Sequence, residues 1–351
     1  MPRDSTHISS ALHQEKTGER VIAALCKWMD THGVLTILRH GFKCYGKTLR
    51  IAFFKPAHGL NPELEARYAS NILGITRQLH FSTKRPNDSL DVTLSVNGIP
   101  LVTLELKNPL SGQTAANAIR QYRHDRDHRE KIFDFKKRTL VHFAVDTDEV
   151  HMTARLAGGA THFLPFNRGR DGGAGNPPDP EGRNYRTAYL WEEVLERNSF
   201  LDLLARFLHL QIEEKRTEDG KKVKKETMIF PRYHQLQAVR EMVEAAAKEG
   251  TGHNYLVEHS AGSGKSNTIG WLAHRFSSLH NEVDERVFDS VVVVTDRIVL
   301  DQQLQNTIYQ FDHRQGVVEK IDEDSRQLAK ALENAVPIII TTFQKFPFVS
   351  Q

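Results

Sequence analysis

Hydrophobic positions along the chain change period several times, and each change marks an element. Val21–Met29 places apolar residues at helical spacing, and Arg50–Phe54 reads as a short strand. Alternation with period two runs through Asp91–Val96 and again through Leu101–Lys107, on either side of Asn97-Gly98, which predicts a β-hairpin. A polar helix over about 114–127 follows, then strands at Thr139–Val145 and Val150–Arg155 around a turn at Asp146–Asp148. From Asn167 to Asn184, Gly, Pro, Asp and Arg replace the pattern, predicting a long surface loop. Tyr189–Leu210 regains helical spacing. The basic stretch Lys215–Lys225 reads as a solvated linker, with a phosphate-contacting strap as the alternative. Beyond it come a helix over Tyr233–Ala247, a strand at Tyr255–Val257, a helix from Lys265 to Phe276, and apolar β-branched runs at Val291–Thr295 and Ile338–Thr342. Fully apolar strands alternating with helices predict an α/β fold with a parallel sheet covered on both faces.

Length adds a domain count: 351 residues allow about two domains. With 39% hydrophobic residues a sizeable core is expected. The longest apolar runs, such as Val291–Val294 and Ile338–Ile340, are too short to span a bilayer, and Met1 to Arg20 carries no apolar leader core. No membrane partner is therefore expected. Cys26 and Cys44 offer at most one bridge and no metal spacing, which suits a reducing cytosol. A net charge of +3 and a pI of about 8.7 permit nucleic acid as a partner without demonstrating it.

Candidate chemistry lies first in His259-Ser260-Ala261-Gly262-Ser263-Gly264-Lys265-Ser266, between a predicted strand and a predicted helix. That is the setting of a phosphate-binding P-loop. Gly262, Ser263 and Gly264 let successive backbone N–H groups turn toward phosphate oxygens. Lys265 would meet the β- and γ-phosphates, and the Ser266 hydroxyl would hold Mg²⁺. His259 stands where the simplest pattern has its first glycine. A glycine-rich turn without a ligand is the bland alternative.

The second chemistry is on the hairpin. In Leu101–Lys107, Glu105 and Lys107 share one strand face while Val102, Leu104 and Leu106 share the other. Asp91 lies on the partner strand. Two carboxylates can hold Mg²⁺, which activates a bound water and neutralises a scissile phosphate, and Lys107 would position the water or stabilise the phosphate. Register decides the matter. A strict two-residue Asn97-Gly98 loop pairs Asp91 with Leu104 on the wrong face, so an odd-length or bulged turn is expected, pairing Asp91 with Glu105. The alternative is an exposed strand with a Glu–Lys pair. On the next helix Arg120, Arg123, Arg126 and Arg129, interleaved with acids, read as a salt-bridged surface or as phosphate contacts. His124 and His128 have the spacing of a zinc-protease helix, but Asp125 replaces the glutamate and a third ligand is lacking.

Several of these segments resemble known families. Phe230-Pro231-Arg232-Tyr233-His234-Gln235 resembles the adenine-reading Gln motif of superfamily 2 helicases, which implies nucleotide-binding roles for Arg232 and Gln235. Thr295-Asp296-Arg297 and Thr341-Thr342-Phe343-Gln344 resemble the next motifs of that series, implying that Arg297, Thr341 and Thr342 touch the nucleic-acid backbone. Asp91 through Asn97-Gly98-Ile99-Pro100, then Glu105-Leu106-Lys107-Asn108-Pro109, resembles the PD-(D/E)xK nuclease signature of type I restriction enzyme R subunits. Gln121-Tyr122 and Asp125-Arg126-Asp127 are similar to that group's supporting motif, which implies site roles for Gln121 and Tyr122. In many relatives the Gln and Tyr are three residues apart; here they are adjacent. Many such nucleases use a further acid from an earlier helix, for which Glu63 and Glu65 are both candidates.

The resemblance implies a restriction-endonuclease-like domain over 1–195, a helical and basic linker over 196–228, and a first RecA-like motor lobe over 229–351. The acidic Walker-B strand of that lobe is not found, so the expectation is a piece of a longer protein that does not hydrolyse ATP efficiently by itself. The implied cofactors are ATP and Mg²⁺. The implied partners are double-stranded DNA and the methyltransferase and specificity subunits. Another helicase–nuclease fusion, or a module that only grips DNA, are the other readings.

Overall fold

The computed structural model describes residues 5–56, 61–216, 222–295, 298–311, 316–321 and 324–348. It divides into two units, one from Met1–Lys55, Ala66–Asn167 and Gly175–Ala205, the other from Pro56–Glu65, Arg168–Ala174 and Arg206–Gln351.

The first unit opens with helices α1 (Ser5–His32) and α2 (Val34–His40). They part at Gly33, where φ is +83° and a Cβ would sit 2.9 Å from the Lys136 carbonyl oxygen. The short antiparallel strands β1 (Phe42–Cys44) and β2 (Lys47–Leu49) and the helix α3 (Pro62–Ala69) follow. The strand expected at Arg50–Phe54 does not form a ladder. Its backbone is tied by side-chain amides instead: Phe53 N donates to Asn71 Oδ1 (3.1 Å), and Asn71 Nδ2 donates to the Phe53 carbonyl (2.6 Å). Asn97 Nδ2 donates to the Ile51 carbonyl (2.6 Å).

Six strands then build one sheet: β3 (Leu73–His80), β4 (Ser89–Val96), β5 (Ile99–Leu106), and, beyond the helix α4 (Ala115–Arg120), β6 (Val141–Val145), β7 (Val150–Thr153) and β8 (Leu164–Pro165). All neighbours are antiparallel except β5 and β6. A parallel pair needs a crossover, and α4 with the loop after it supplies one. Asp146 anchors that crossover. One carboxylate oxygen accepts from Ala115 N at the start of α4 (2.8 Å), and the other closes the β6–β7 turn through Asp148 N and Glu149 N. Leu90, Ala118, Tyr122, Phe133, Ala144 and Phe163 form the core there. The helix expected over Tyr189–Leu210 is broken: the helix α5 (Arg197–Asp202) is flanked by π-turns at Leu190–Val194 and Leu203–Phe207.

In the second unit the described ends of the basic stretch lie on an antiparallel hairpin of β9 (His209–Arg216) and β10 (Lys222–Ile229), paired from His209↔Ile229 to Arg216↔Lys222, and residues 217–221 lie outside the described residues. Charged residues on an exposed hairpin give the same composition as a solvated linker, which is why the pattern misleads. The helices α6 (Tyr233–Glu249) and α7 (Lys265–Phe276) follow. Between them Tyr255–Val257 pairs with no strand among the described residues, and Leu256 is 91% exposed, so the strand expected before Gly262 is not found there.

Next come β11 (Val291–Thr295), α8 (Ile298–Gln310), β12 (Val318–Lys320), α9 (Ser325–Glu333) and β13 (Ile338–Thr342). The three strands form a parallel sheet in the order β11-β13-β12, over Ala273, Leu304, Ile308 and Ile338. Gln310 completes the edge of β9. Its amide donates to the Ile212 carbonyl (3.0 Å) and accepts from Ile212 N (2.8 Å), as a neighbouring strand would.

Candidate functional site

The β4–β5 hairpin turns on Asn97 and Gly98, both at positive φ (+49° and +83°), which makes a two-residue turn of the primed kind. Val96 pairs with Ile99 and Ser95 with Pro100. The register then shifts between Ser95 and Leu94, so that Leu94 pairs with Val102, Thr93 with Thr103 and Val92 with Leu104. Continued by one residue, this sets Asp91 opposite Glu105. The odd-length or bulged turn expected from the sequence is not found: the turn is a regular two-residue one, and the register shift that brings the two acids opposite each other lies inside the strands, where Pro100 has no N–H for a regular ladder to miss.

Glu105 is fully buried. One oxygen, Oε1, accepts from Arg126 Nε at 2.7 Å. The other, Oε2, is buried without a hydrogen-bond donor. Burial pushes the Glu105 carboxyl up from 4.5 to about 7, against the Arg126 guanidinium that lowers it and with nearby Asp91 raising it further. Asp91 is half-buried. Its Oδ2 accepts from Leu106 N (2.8 Å) and its Oδ1 from Gln78 Nε2 (3.3 Å). Two adjacent carboxylates with an unsatisfied inward oxygen need either a shared proton or a cation. The donor set therefore fits a hard divalent ion that keeps several of its waters. Among the described residues no group of three or more His, Cys, Asp or Glu is placed to hold a metal, so this set is a two-carboxylate one.

Lys107 follows the end of β5, and its backbone N–H continues the ladder to the Val145 carbonyl (2.8 Å). Its ammonium has no hydrogen bond or ion pair among the described residues. Gln121 and Tyr122 begin a π-turn, Gln121–Asp125, that widens the end of α4. Gln121 is half-buried. Tyr122 is fully buried, with its hydroxyl 2.8 Å from Thr103 Oγ1, which in turn lies 2.8 Å from His142 Nδ1. Tyr122 thus braces β5 two residues before Glu105. Its burial raises the phenol well above its ordinary pKa, and burial lowers His142 to about 3. Glu63 and Glu65 stand in the first turn of α3.

Two contributors were not singled out by sequence. Gln78 has a positive φ of +49° inside β3 and is skipped by the ladder, which turns its side chain onto Asp91 and Ser89. Only a structure shows that, since nothing in the alternation of β3 marks it. Arg126 was one of four arginines read alike, yet it alone enters the site: Arg123 Nε bonds the Thr161 carbonyl, Arg129 pairs with Asp127, and Arg120 is exposed.

In the second unit Gly262 and Gly264 have positive φ (+73° and +88°), giving the curled backbone a phosphate loop needs. Lys265 Nζ donates to the His259 carbonyl at 2.7 Å, and Ser266 is half-buried. Gln235 is buried, and its amide is engaged with the loop itself. Nε2 donates to the carbonyls of Ser263 (3.1 Å) and Gly264 (2.9 Å), while Oε1 accepts from Arg232 N (2.9 Å). A Cβ on Gly264 would lie 2.6 Å from Gln235 Nε2, which fixes glycine at that position. The adenine-reading role expected of Gln235 thus finds its amide hydrogen-bonding capacity directed at the loop. His234 packs edge-on against His259, ring centroids 4.7 Å apart, and burial lowers both imidazoles. Thr341 and Thr342 end β13 and are buried, opposite Val294 and Thr295 at the carboxyl ends of parallel strands. Arg297 lies outside the described residues.

Comparison with known proteins agrees with this division. A family model for the N terminus of type I restriction enzyme R proteins matches residues 31–161. A model for the SWI2/SNF2 ATPases matches residues 234–351. The chain is 26% identical over 296 residues, 80% of its own length, to the type I restriction enzyme HindI endonuclease subunit of Haemophilus influenzae, covering 25% of that protein. It is 26% identical over 254 residues, 68% of its length, to the putative type I restriction enzyme MjaVIIIP endonuclease subunit of Methanocaldococcus jannaschii, covering 21% of it. The type I restriction enzyme SauCOLORF180P endonuclease subunit of Staphylococcus aureus is 23% identical over 258 residues, 73% of this chain and 24% of that one. The chain spans about a quarter of the length of these relatives.

Proposed function

The chain belongs to the family of type I restriction enzyme R proteins, and from that premise we propose that the whole protein is an ATP-driven DNA translocase and endonuclease. The observation that carries the nuclease half is the bulged register, which sets Asp91 opposite a Glu105 whose second oxygen is buried without a donor. A decorative surface Glu–Lys pair would not bury its carboxylate.

The proposed division is a PD-(D/E)xK nuclease domain over 1–195 and a RecA-like motor lobe over 229–351. In the first, Asp91 and Glu105 hold Mg²⁺, which when bound lowers the pKa of a water and neutralises charge at the scissile phosphate. Lys107, with its unpaired ammonium, orients that water or the phosphate. Gln121 borders the site, and Tyr122 holds β5 in place. In the second, Gly262–Gly264 present backbone N–H groups to ATP, Lys265 leaves the His259 carbonyl for the phosphates, and Ser266 holds the accompanying Mg²⁺. Gln235 and Arg232 shape the loop. Thr341, Thr342 and Arg297 serve the DNA track. Double-stranded DNA is the substrate, and methyltransferase and specificity subunits are the partners, in a cytoplasmic setting.

The test is plasmid cleavage by the full-length protein assembled with its partner subunits, with ATP and Mg²⁺. Lys107→Ala is expected to lower cutting by about 100-fold or more while DNA-stimulated ATP hydrolysis persists. Normal cutting by Lys107→Ala would leave a DNA-gripping module as the better reading.

A further inference from the structure

Arg126 is where the site's geometry goes beyond its carboxylates. The chain leaves α4 through the π-turn Gln121–Asp125, and Arg126 follows in extended conformation (φ −97°, ψ 117°), its N–H bonded to the Gln121 carbonyl at 3.0 Å. Tyr122 and Arg126 are four residues apart on this turn, and their targets Thr103 and Glu105 are two apart on β5. Thr103 and Glu105 share one face of β5, so Tyr122 and Arg126 reach the same side of the strand.

The guanidinium is braced at three points. Nε donates to Glu105 Oε1 (2.7 Å), Nη2 donates to the Ser89 carbonyl (2.6 Å), and the group lies 5.9 Å from the centroid of the Phe81 ring. Only 9% of Arg126 is exposed. A side chain held in this way is not free to swing onto a DNA phosphate. What it does is occupy one oxygen of Glu105 from a fixed direction, which leaves Oε2 as the oxygen without a donor, on the strand face shared with Asp91.

Building on the two-carboxylate reading above, we propose that Arg126 is the positioning residue of the metal site: it locks the Glu105 carboxylate so that Oε2 is presented, with Asp91, to a divalent cation. Ser89 and Phe81 serve the same end by holding the guanidinium. Arg126 itself touches neither the cation nor the DNA.

The experiment is Mn²⁺ titration of the purified full chain, followed by the loss of the free-ion paramagnetic resonance signal, for wild type, Arg126→Gln, Arg126→Lys and Asp91→Asn. Circular dichroism confirms that each variant is folded. Groups that orient a metal ligand typically change affinity by about 10–100-fold, so Arg126→Gln is expected to weaken Mn²⁺ by about that factor. Arg126→Lys, which can restore one charged donor, should recover part of the loss. Unchanged Mn²⁺ affinity in a folded Arg126→Gln, with Asp91→Asn impaired, would overturn the positioning role and leave the metal site standing. Tighter binding by Arg126→Gln would overturn it in favour of a guanidinium that competes with the cation. If Asp91→Asn also binds normally, the two-carboxylate reading fails first.

Discussion

At Glu105 the fold buries an acid whose second oxygen lacks a donor, and this makes the stability of the metal-free protein depend on pH. The folded carboxyl titrates near 7 and the unfolded one near 4.5. Below 4.5 both states carry the proton. Between 4.5 and about 7 the folded chain keeps a proton that the unfolded chain has released, so stability falls as pH rises and levels off above 7. At about 1.36 kcal/mol per pH unit the full effect is about 3 kcal/mol. His142 works in the opposite sense: buried and neutral, it contributes stability that is lost as pH falls from 6.5 toward 3. Comparison with Glu105→Gln isolates the acid. In urea titrations of metal-free protein from pH 5 to 8, Glu105→Gln is expected to gain on wild type by about 3 kcal/mol as pH rises. Curves that stay parallel would show that Glu105 does not carry the shift.

The hairpin of β4 and β5 is held by more than its ladder, because Asn97 sits at positive φ and spends its side chain elsewhere. Its Oδ1 accepts from Ile72 N (2.7 Å), and its Nδ2 donates to the Ile51 carbonyl (2.6 Å) and Asn71 Oδ1 (3.0 Å). Asn97→Ala strands these partners and is expected to cost about 2–3 kcal/mol in denaturant unfolding. A loss below about 0.5 kcal/mol would mean that solvent replaces the amide without penalty. The same amides explain a sequence misreading: 50–54 is extended, but its partner is a pair of asparagine side chains that no strand pattern encodes. The register of Asp91 against Glu105, in contrast, was legible, because two acids must share a face; where the extra residue sits was not, since it was expected in the turn and lies inside the strands. The contact of Arg126 with Glu105 was not legible, since the sequence shows neither the π-turn Gln121–Asp125 nor the extended backbone of Arg126 that follows it. Hairpin β9–β10 escaped for a compositional reason, its exposed lysines reading as solvated chain.

At the scale of the chain, two candidate sites lie in separate units: an acid pair on a mixed sheet in one, and a glycine turn at Gly262–Gly264 followed by a parallel sheet in the other. The runs Val291–Thr295 and Ile338–Thr342 coincide with β11 and β13, because wholly apolar β-branched strands have little else to become. Tyr255–Val257 is apolar too but carries one β-branched residue and joins no ladder among the described residues, and periodicity cannot report whether a partner strand is at hand. In the proposed function, cutting and ATP-driven motion are separable engines of one protein. The most direct test compares plasmid cleavage and DNA-stimulated ATP hydrolysis by the full-length protein with its partner subunits, for wild type, Asp91→Ala and Lys265→Ala. Asp91→Ala is predicted to lose cutting and keep ATP hydrolysis, and Lys265→Ala to lose both. Normal cutting by Asp91→Ala would remove the proposed nuclease site and return the β4–β5 hairpin to a structural role.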